Sequence, residues 1–190
     1  MLESSFSNLS LENKTGLNRN QLDKFYTQSQ VVTKCIDMCL HNLNINKLND
    51  IIIEPSAGQG SFTLQLIEIF ENVISYDIEP ENEKIIKQDY LKLETTHLEN
   101  KTVHIIGNPP FGRQSSLAKK FIKKSCEFAN SISFILPKSF KKQSLQKIFP
   151  LNFHLIKQID LDKNSFTIND KKYDVPCVFQ IWIKKDFNRE

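Results

Sequence analysis

No apolar run in the 190-residue chain approaches the roughly 18 residues that a membrane-spanning helix needs. The opening stretch MLESSFSNLSLENKTG lacks the basic start and greasy core of an export leader, so an intracellular protein, cytoplasmic or nuclear, is expected. The four cysteines, Cys35, Cys39, Cys126 and Cys177, form no CxxC pair and have no histidine set beside them. That argues against a zinc site and predicts reduced thiols packed in a core, with no metal. Net charge is only +3, so composition alone names no partner, and no internal repeat is present.

What is there suits one globular domain. The hydrophobic share of 39% and charged share of 25% are ordinary for a soluble protein. Residues 1–20 mix Ser, Asn, Lys and Glu without apolar period and read as a flexible tail, leaving residues 21–190 as the single domain. From Ser29, the residues Val31, Val32, Cys35, Ile36, Cys39 and Leu40 recur at three and four, which predicts a helix to about Asn42. DIIIEPSAGQGSF reads as strand, Pro stop and glycine loop, and SFTLQLIEIF as the helix that follows. NVISYDI, IIKQDY, KTVHIIG and SISFILP read as further strands, and SLAKKFIKKSCEFA as an amphipathic helix. Two last strands, FHLIKQIDL and VPCVFQIWIKK, flank a polar stretch and suit an antiparallel hairpin. Alternating strands and helices predict a doubly wound, mostly parallel α/β sheet with that antiparallel pair at its C-terminal end.

In such a sheet, ligands bind at the carboxyl ends of the strands. Successive predicted strand ends carry Glu54 with Gly58 and Gly60, then Asp77, then Asp89. The loop EPSAGQG has no third glycine at dinucleotide spacing and no Lys-Ser/Thr pair, which argues against a pyrophosphate. Asp77 lies about twenty residues past the loop, where a carboxylate can accept both hydroxyls of a ribose. A nucleoside-like cofactor fits.

Taken in order and spacing, IIEPSAGQGSF, YDI, QDY and NPPF resemble the S-adenosylmethionine-dependent methyltransferases that modify the N6 amino group of adenine in nucleic acid. The upstream DKFYTQSQVV is similar to the segment those enzymes place before the cofactor loop. The resemblance runs over residues 23–138 and implies a Rossmann-like class I methyltransferase fold of seven strands. It implies that Tyr26 and Thr27 flank the methionine end of the cofactor, and that Glu54, Ser56, Ala57, Gly58 and Gly60 line that end and the sugar. Asp77 would hold the ribose, Ile78 would pack on the adenine, and Asp89, with Tyr90 beside it, would accept from the exocyclic amine. Asn108, Pro109, Pro110 and Phe111 would form the catalytic segment, with Asn108 also beside the cofactor.

The chemistry suits these residue types. An exocyclic amine conjugated to a purine is a poor nucleophile, and acceptors aimed at its N–H bonds free its lone pair. The Asn108 side-chain oxygen and the Pro109 carbonyl, held by two rigid prolines, suit that task. Phe111 offers a flat face for the base. Between Arg113 and Lys147 stand Lys119, Lys120, Lys123, Lys124, Lys138, Lys141 and Lys142 against the single acid Glu127. Such a basic stretch can neutralise phosphates, and Arg113 and Lys138, with Phe111, are the expected substrate contacts. The substrate is therefore expected to be DNA or RNA. Two alternatives stay open: a protein-glutamine methyltransferase, which presents a similar N-P-P segment, and a non-catalytic cofactor-binding subunit. The chain has no separate target-recognition region, so a protein partner supplying one is a further expectation.

Overall fold

The computed structural model describes residues 26–168 and 171–190; the tail expected over residues 1–20 lies outside the described residues. In chain order the elements are β1 (Tyr26–Thr27), α1 (Ser29–Asn42), β2 (Ile51–Glu54), α2 (Thr63–Leu66), β3 (Asn72–Asp77), β4 (Ile86–Lys87), β5 (Val103–Gly107), α3 (Ser116–Cys126), β6 (Ser131–Pro137), α4 (Gln143–Gln146), β7 (Phe153–Asp160), β8 (Phe166–Ile168), β9 (Lys171–Tyr173) and β10 (Cys177–Lys184). Short 3-10 turns occupy Tyr90–Lys92, Thr96–Leu98, Arg113–Ser115 and Lys138–Lys141.

Strands β4, β3, β2, β5, β6, β10 and β7 lie side by side in that order as one seven-stranded sheet. The first five run parallel, and β10 is antiparallel to both of its neighbours. The expected fold is the one found, its antiparallel C-terminal pair included, and within that pair β10 lies inside, between β6 and β7, with β7 at the edge. A small second sheet, β1-β8-β9, is antiparallel throughout.

The period-two alternation of the strands divides the core between the two faces of the sheet. On one face Ile52, Ile106, Ile135 and Phe179 meet Val32, Cys35, Ile36 and Cys39 of α1. On the other, Ile53, Ile105, Phe134 and Val178 meet Ala118, Phe121 and Ile122 of α3. Each of these larger side chains contributes about 1.5–3 kcal/mol on burial, which is what holds two short helical layers to the sheet. The cysteines are free, with Cys35, Cys39 and Cys177 buried and Cys126 half-buried. Burial pushes the Cys39 and Cys177 thiols up to about 12, so they remain protonated packing groups. No helix among the described residues is long and apolar enough to cross a membrane.

Two elements are shorter than their sequence patterns predict. The helix expected over SFTLQLIEIF is confined to Thr63–Leu66. Beyond it, the Ile69 and Phe70 amides both return to the Leu66 carbonyl, and the Glu71 amide donates to the Lys47 carbonyl, which turns the chain into β3. The need to bring Asn72 beside Ile51 overrides helical periodicity. The strand expected over IIKQDY is only Ile86–Lys87, because the Asp89 carboxylate accepts from the Leu91 amide and starts a 3-10 turn.

Candidate active site

Glu54 ends β2, Asp77 ends β3, Asn108 follows β5 and Lys138 follows β6, so parallel pairing brings these positions to one edge of the sheet. The glycine loop closes against it. Gly58 has φ +55, a left-handed conformation that a side chain disfavours. Its amide donates to Asp77 Oδ2 at 2.8 Å, while Asp77 Oδ1 accepts from the Glu79 amide at 2.8 Å. Each carboxylate oxygen keeps a lone pair for a further donor.

Ala57 donates its amide to the Tyr76 carbonyl, and Gly60 donates to the Ala57 carbonyl, which ties the loop to β3. The Tyr26 ring lies beside Gly58: a Cβ placed there would come 3.5 Å from Tyr26 Cε1. Tyr26 Oη donates to Glu81 Oε1 at 2.7 Å. Burial first, and then Glu81, push this phenol up to about 12, so it stays a donor.

Glu54 is buried beneath the loop, with its Oε2 accepting from Thr63 Oγ1, which lies 2.8 Å from the Ser75 hydroxyl. Burial pushes the Glu54 carboxyl up to about 8, more than the Thr63 hydrogen bonds hold it down. Gly107 is packed against Glu54 Cγ and Pro55 Cδ, which sets the NPPF turn directly beside the loop. There Ser56 Oγ donates to the Asn108 carbonyl at 3.1 Å, and Asn108 Nδ2 donates to Thr27 Oγ1 at 3.3 Å. Asn108 Oδ1 is buried and has no hydrogen-bond partner among the described residues. An unpaired buried acceptor costs about 1–3 kcal/mol, so its presence asks for a donor beyond those residues.

Phe111 is half-buried and packs against both core clusters. Its carbonyl accepts the Leu117 and Ala118 amides, anchoring α3 to the motif. Gly112 has φ +65, and a Cβ there would meet Leu117 Cγ at 2.9 Å, so no other residue fits the turn without displacement. Gln114 and Ser115 follow at φ +52 and +60, which concentrates backbone strain next to the motif.

Ile78 is 63% exposed at the end of β3, an apolar surface open to a flat ring. Asp89 spends one oxygen on the Leu91 amide and lies 3.6 Å from Lys92 Nζ. One sequence assignment needs correction. Tyr90 is a core residue: its buried ring stacks on Phe121 with centroids 5.4 Å apart, and its hydroxyl lies 2.8 Å from Ser125 Oγ. Its bulk and apolarity favour the core. Lys138 is not a free cation, because its Nζ lies 3.3 Å from Asp160, which also accepts from Lys141 at 2.8 Å. Those two lysines hold the Asp160 carboxyl below its ordinary range. Arg113, Lys120 and Lys123 are exposed and make no ion pair with a described residue, whereas Lys124 pairs with Glu127.

Sequence reasoning missed Glu81, Thr63 and Ser75. Nothing in the local pattern marks them, since Glu81 reaches Tyr26 across 55 positions. Among the described residues no group of three or more His, Cys, Asp and Glu side chains could hold a metal ion.

Known structures share this architecture at low identity. The Pyrococcus horikoshii protein PH1948, provisionally classed as an RNA methyltransferase, is 15% identical, with 92% of each chain covered and a TM-score of 0.63. The 23S rRNA methyltransferase ErmE is 13% identical over 87% of this chain and 71% of its own, also with a TM-score of 0.63. The N-methyltransferase NodS from Bradyrhizobium japonicum WM9, solved with S-adenosyl-L-homocysteine, is 10% identical over 87% and 91%, with a TM-score of 0.60. The fold is thus that of Rossmann-like class I methyltransferases. The sequence model of the EDM2 methyltransferase-like domain matches residues 46–190, from the approach to β2 to the last residue, and the chain belongs to that family.

Proposed function

We propose that this protein transfers a methyl group from S-adenosylmethionine to the N6 amino group of adenine in nucleic acid, with RNA the favoured substrate. The observation that carries the reading is the buried Oδ1 of Asn108 in the NPPF turn, which has no partner among the described residues and is an acceptor suited to an amine N–H. The edge also fits the cofactor: Asp77 for the ribose hydroxyls, Ile78 for the adenine face, Asp89 for its exocyclic amine. Tyr26, Thr27, Glu54, Ser56, Ala57, Gly58 and Gly60 would line the sugar and methionine end. RNA is favoured because PH1948 and ErmE, which share the fold, carry RNA methyltransferase descriptions.

When bound, the cofactor supplies a methyl group already activated by its sulfonium. The chain supplies position and polarity. Asn108 Oδ1 and the Pro109 carbonyl accept from the two amine protons, which localises the nitrogen lone pair without a general base. Pro109 and Pro110 keep those acceptors rigid, Phe111 stacks on the base, and the proton leaves to solvent once the nitrogen is cationic. Arg113, Lys120 and Lys123 neutralise flanking phosphates.

The test is transfer of labelled methyl from S-adenosylmethionine to RNA and DNA pools in parallel, with nucleoside analysis and Asn108→Ala as control. N6-methyladenosine that disappears in the variant supports the reading, and the deoxy form alone would move the substrate to DNA. Label that survives nuclease and is lost to protease would replace the reading with a protein-glutamine substrate.

A further inference from the structure

Asn108 is gripped by two hydroxyls from different parts of the chain. Ser56, on the glycine loop, holds its backbone carbonyl; Thr27, on β1, accepts from its side-chain Nδ2. The first bond fixes where the residue sits. The second holds the side chain: a hydroxyl can bond either end of an amide, and in the arrangement present Thr27 accepts from Nδ2. With Nδ2 turned to Thr27, Oδ1 is turned away from it, and that oxygen is the buried acceptor with no partner among the described residues. Half a turn of the amide would present a donor where the amine needs an acceptor.

We infer that Thr27 is a positioning residue that locks the Asn108 amide with its oxygen toward the incoming amine, an inference that rests on the reading of Asn108 given above. Thr27 is suited to it. It is buried, and its two-residue strand is held by a distant segment: Thr27 is in register with Phe166 of β8, and the Gln28 amide donates to the Ser165 carbonyl at 3.0 Å. Phe166 is itself fully buried in the α1 core cluster. The polar stretch before β10 thus supports the strand that orients the catalytic amide.

The variants are Thr27→Val, which keeps the branched shape and removes the oxygen, and Thr27→Ser, which keeps the oxygen. Three quantities are read on each: the side-chain amide signal of Asn108 in a 15N–1H spectrum, assigned by its loss in Asn108→Asp; kcat for methyl transfer; and affinity for S-adenosylhomocysteine by calorimetry. In Thr27→Val the amide signal is expected to move and kcat at saturating cofactor to fall at least about tenfold, a larger loss than any in S-adenosylhomocysteine affinity, and Thr27→Ser to restore both. An unmoved signal in Thr27→Val overturns the inference, as does lost S-adenosylhomocysteine affinity with kcat at saturation intact, which would make Thr27 a cofactor contact only. A moved signal in a protein that methylates neither pool supports the lock while overturning the adenine reading, so the two failures are distinguishable.

Discussion

At the start of β5, His104 lies between Ser131 and Asp50, its Nδ1 2.7 Å from the serine hydroxyl and its Nε2 3.2 Å from the carboxylate. Asp50 also accepts the Asn46 amide at 2.7 Å. Just past the other end of the same strand, Asn108 leaves a buried oxygen unpaired. Both ends bury polar groups on or beside β2, β5 and β6. A neutral imidazole with its proton on Nε2 completes every partnership at the amino end, so that cluster is a fastening between strands. The carboxyl end is incomplete by itself, and incompleteness in a buried polar site is what a ligand answers. A Ser, His and Asp in contact therefore do not make a second active site here, since all three are buried and satisfied by one another.

The contrast can be broken most directly with a pair of truncations. Asn108→Ala is expected to lower methyl transfer by about 10²–10³-fold yet to cost less than about 1 kcal/mol of stability, since removing an unpaired buried oxygen offsets the lost hydrogen bond to Thr27. His104→Ala should do the reverse, losing about 2–4 kcal/mol by stranding Asp50 and Ser131 while keeping turnover. Urea unfolding beside the methyl-transfer assay checks both. Loss of stability in the first with retained activity would erase the distinction.

A subtler test uses pH, because burial acts with opposite sign at the two ends. Burial lowers the His104 pKa, against the pull of Asp50. The folded state thus takes up this proton less readily than the unfolded chain, so stability is complete above the ordinary 6.5 and is lost as pH falls below it. Glu54 is raised from 4.5 to about 8. Its contribution is complete below 4.5 and is lost as pH rises through about 8. Glu54→Gln should flatten the loss on the alkaline limb, which runs from 4.5 to about 8, and leave the His104 loss in place; thermal midpoints from about pH 4 to about pH 9 measure both. An unchanged alkaline limb would mean that Glu54 is already ionised in the fold.

The smallest effect lies outside the sheet, on the basic surface. Lys120→Gln with Lys123→Gln should reduce the slope of log affinity against log salt for RNA by about 1.4–1.8, the value for two lost phosphate contacts. Lys138→Gln should change it less, because that lysine is already engaged by Asp160. Equal effects would mean that Asp160 releases its partners when RNA binds.

Much of this was legible in the sequence. Helix α1 spans the residues its periodicity predicts, and β2, β3, β5 and β6 lie within their predicted runs, because alternation and helical spacing are local signals set by neighbours one to four positions apart. The acids at strand ends and the NPPF turn could be located for the same reason. Tyr90 was misread since an aromatic beside a functional acid looks the same in sequence whether it faces a ligand or the core. The Asp160 partner of Lys138 was not legible, since it stands on a strand that only the folded sheet brings near.

The sequence by itself determined which residue types stand at each strand end and what chemistry they could support, because those depend on composition and short spacing. Only the tertiary structure decided how they act together. The Thr27 contact with Asn108 spans 81 positions, the Tyr26 contact with Glu81 spans 55, and β10 takes its place between β6 and β7. Such contacts depend on the packing of the whole chain, which sets two hydroxyls against the residue that carries the unpaired oxygen and leaves no local mark in the residues that form them.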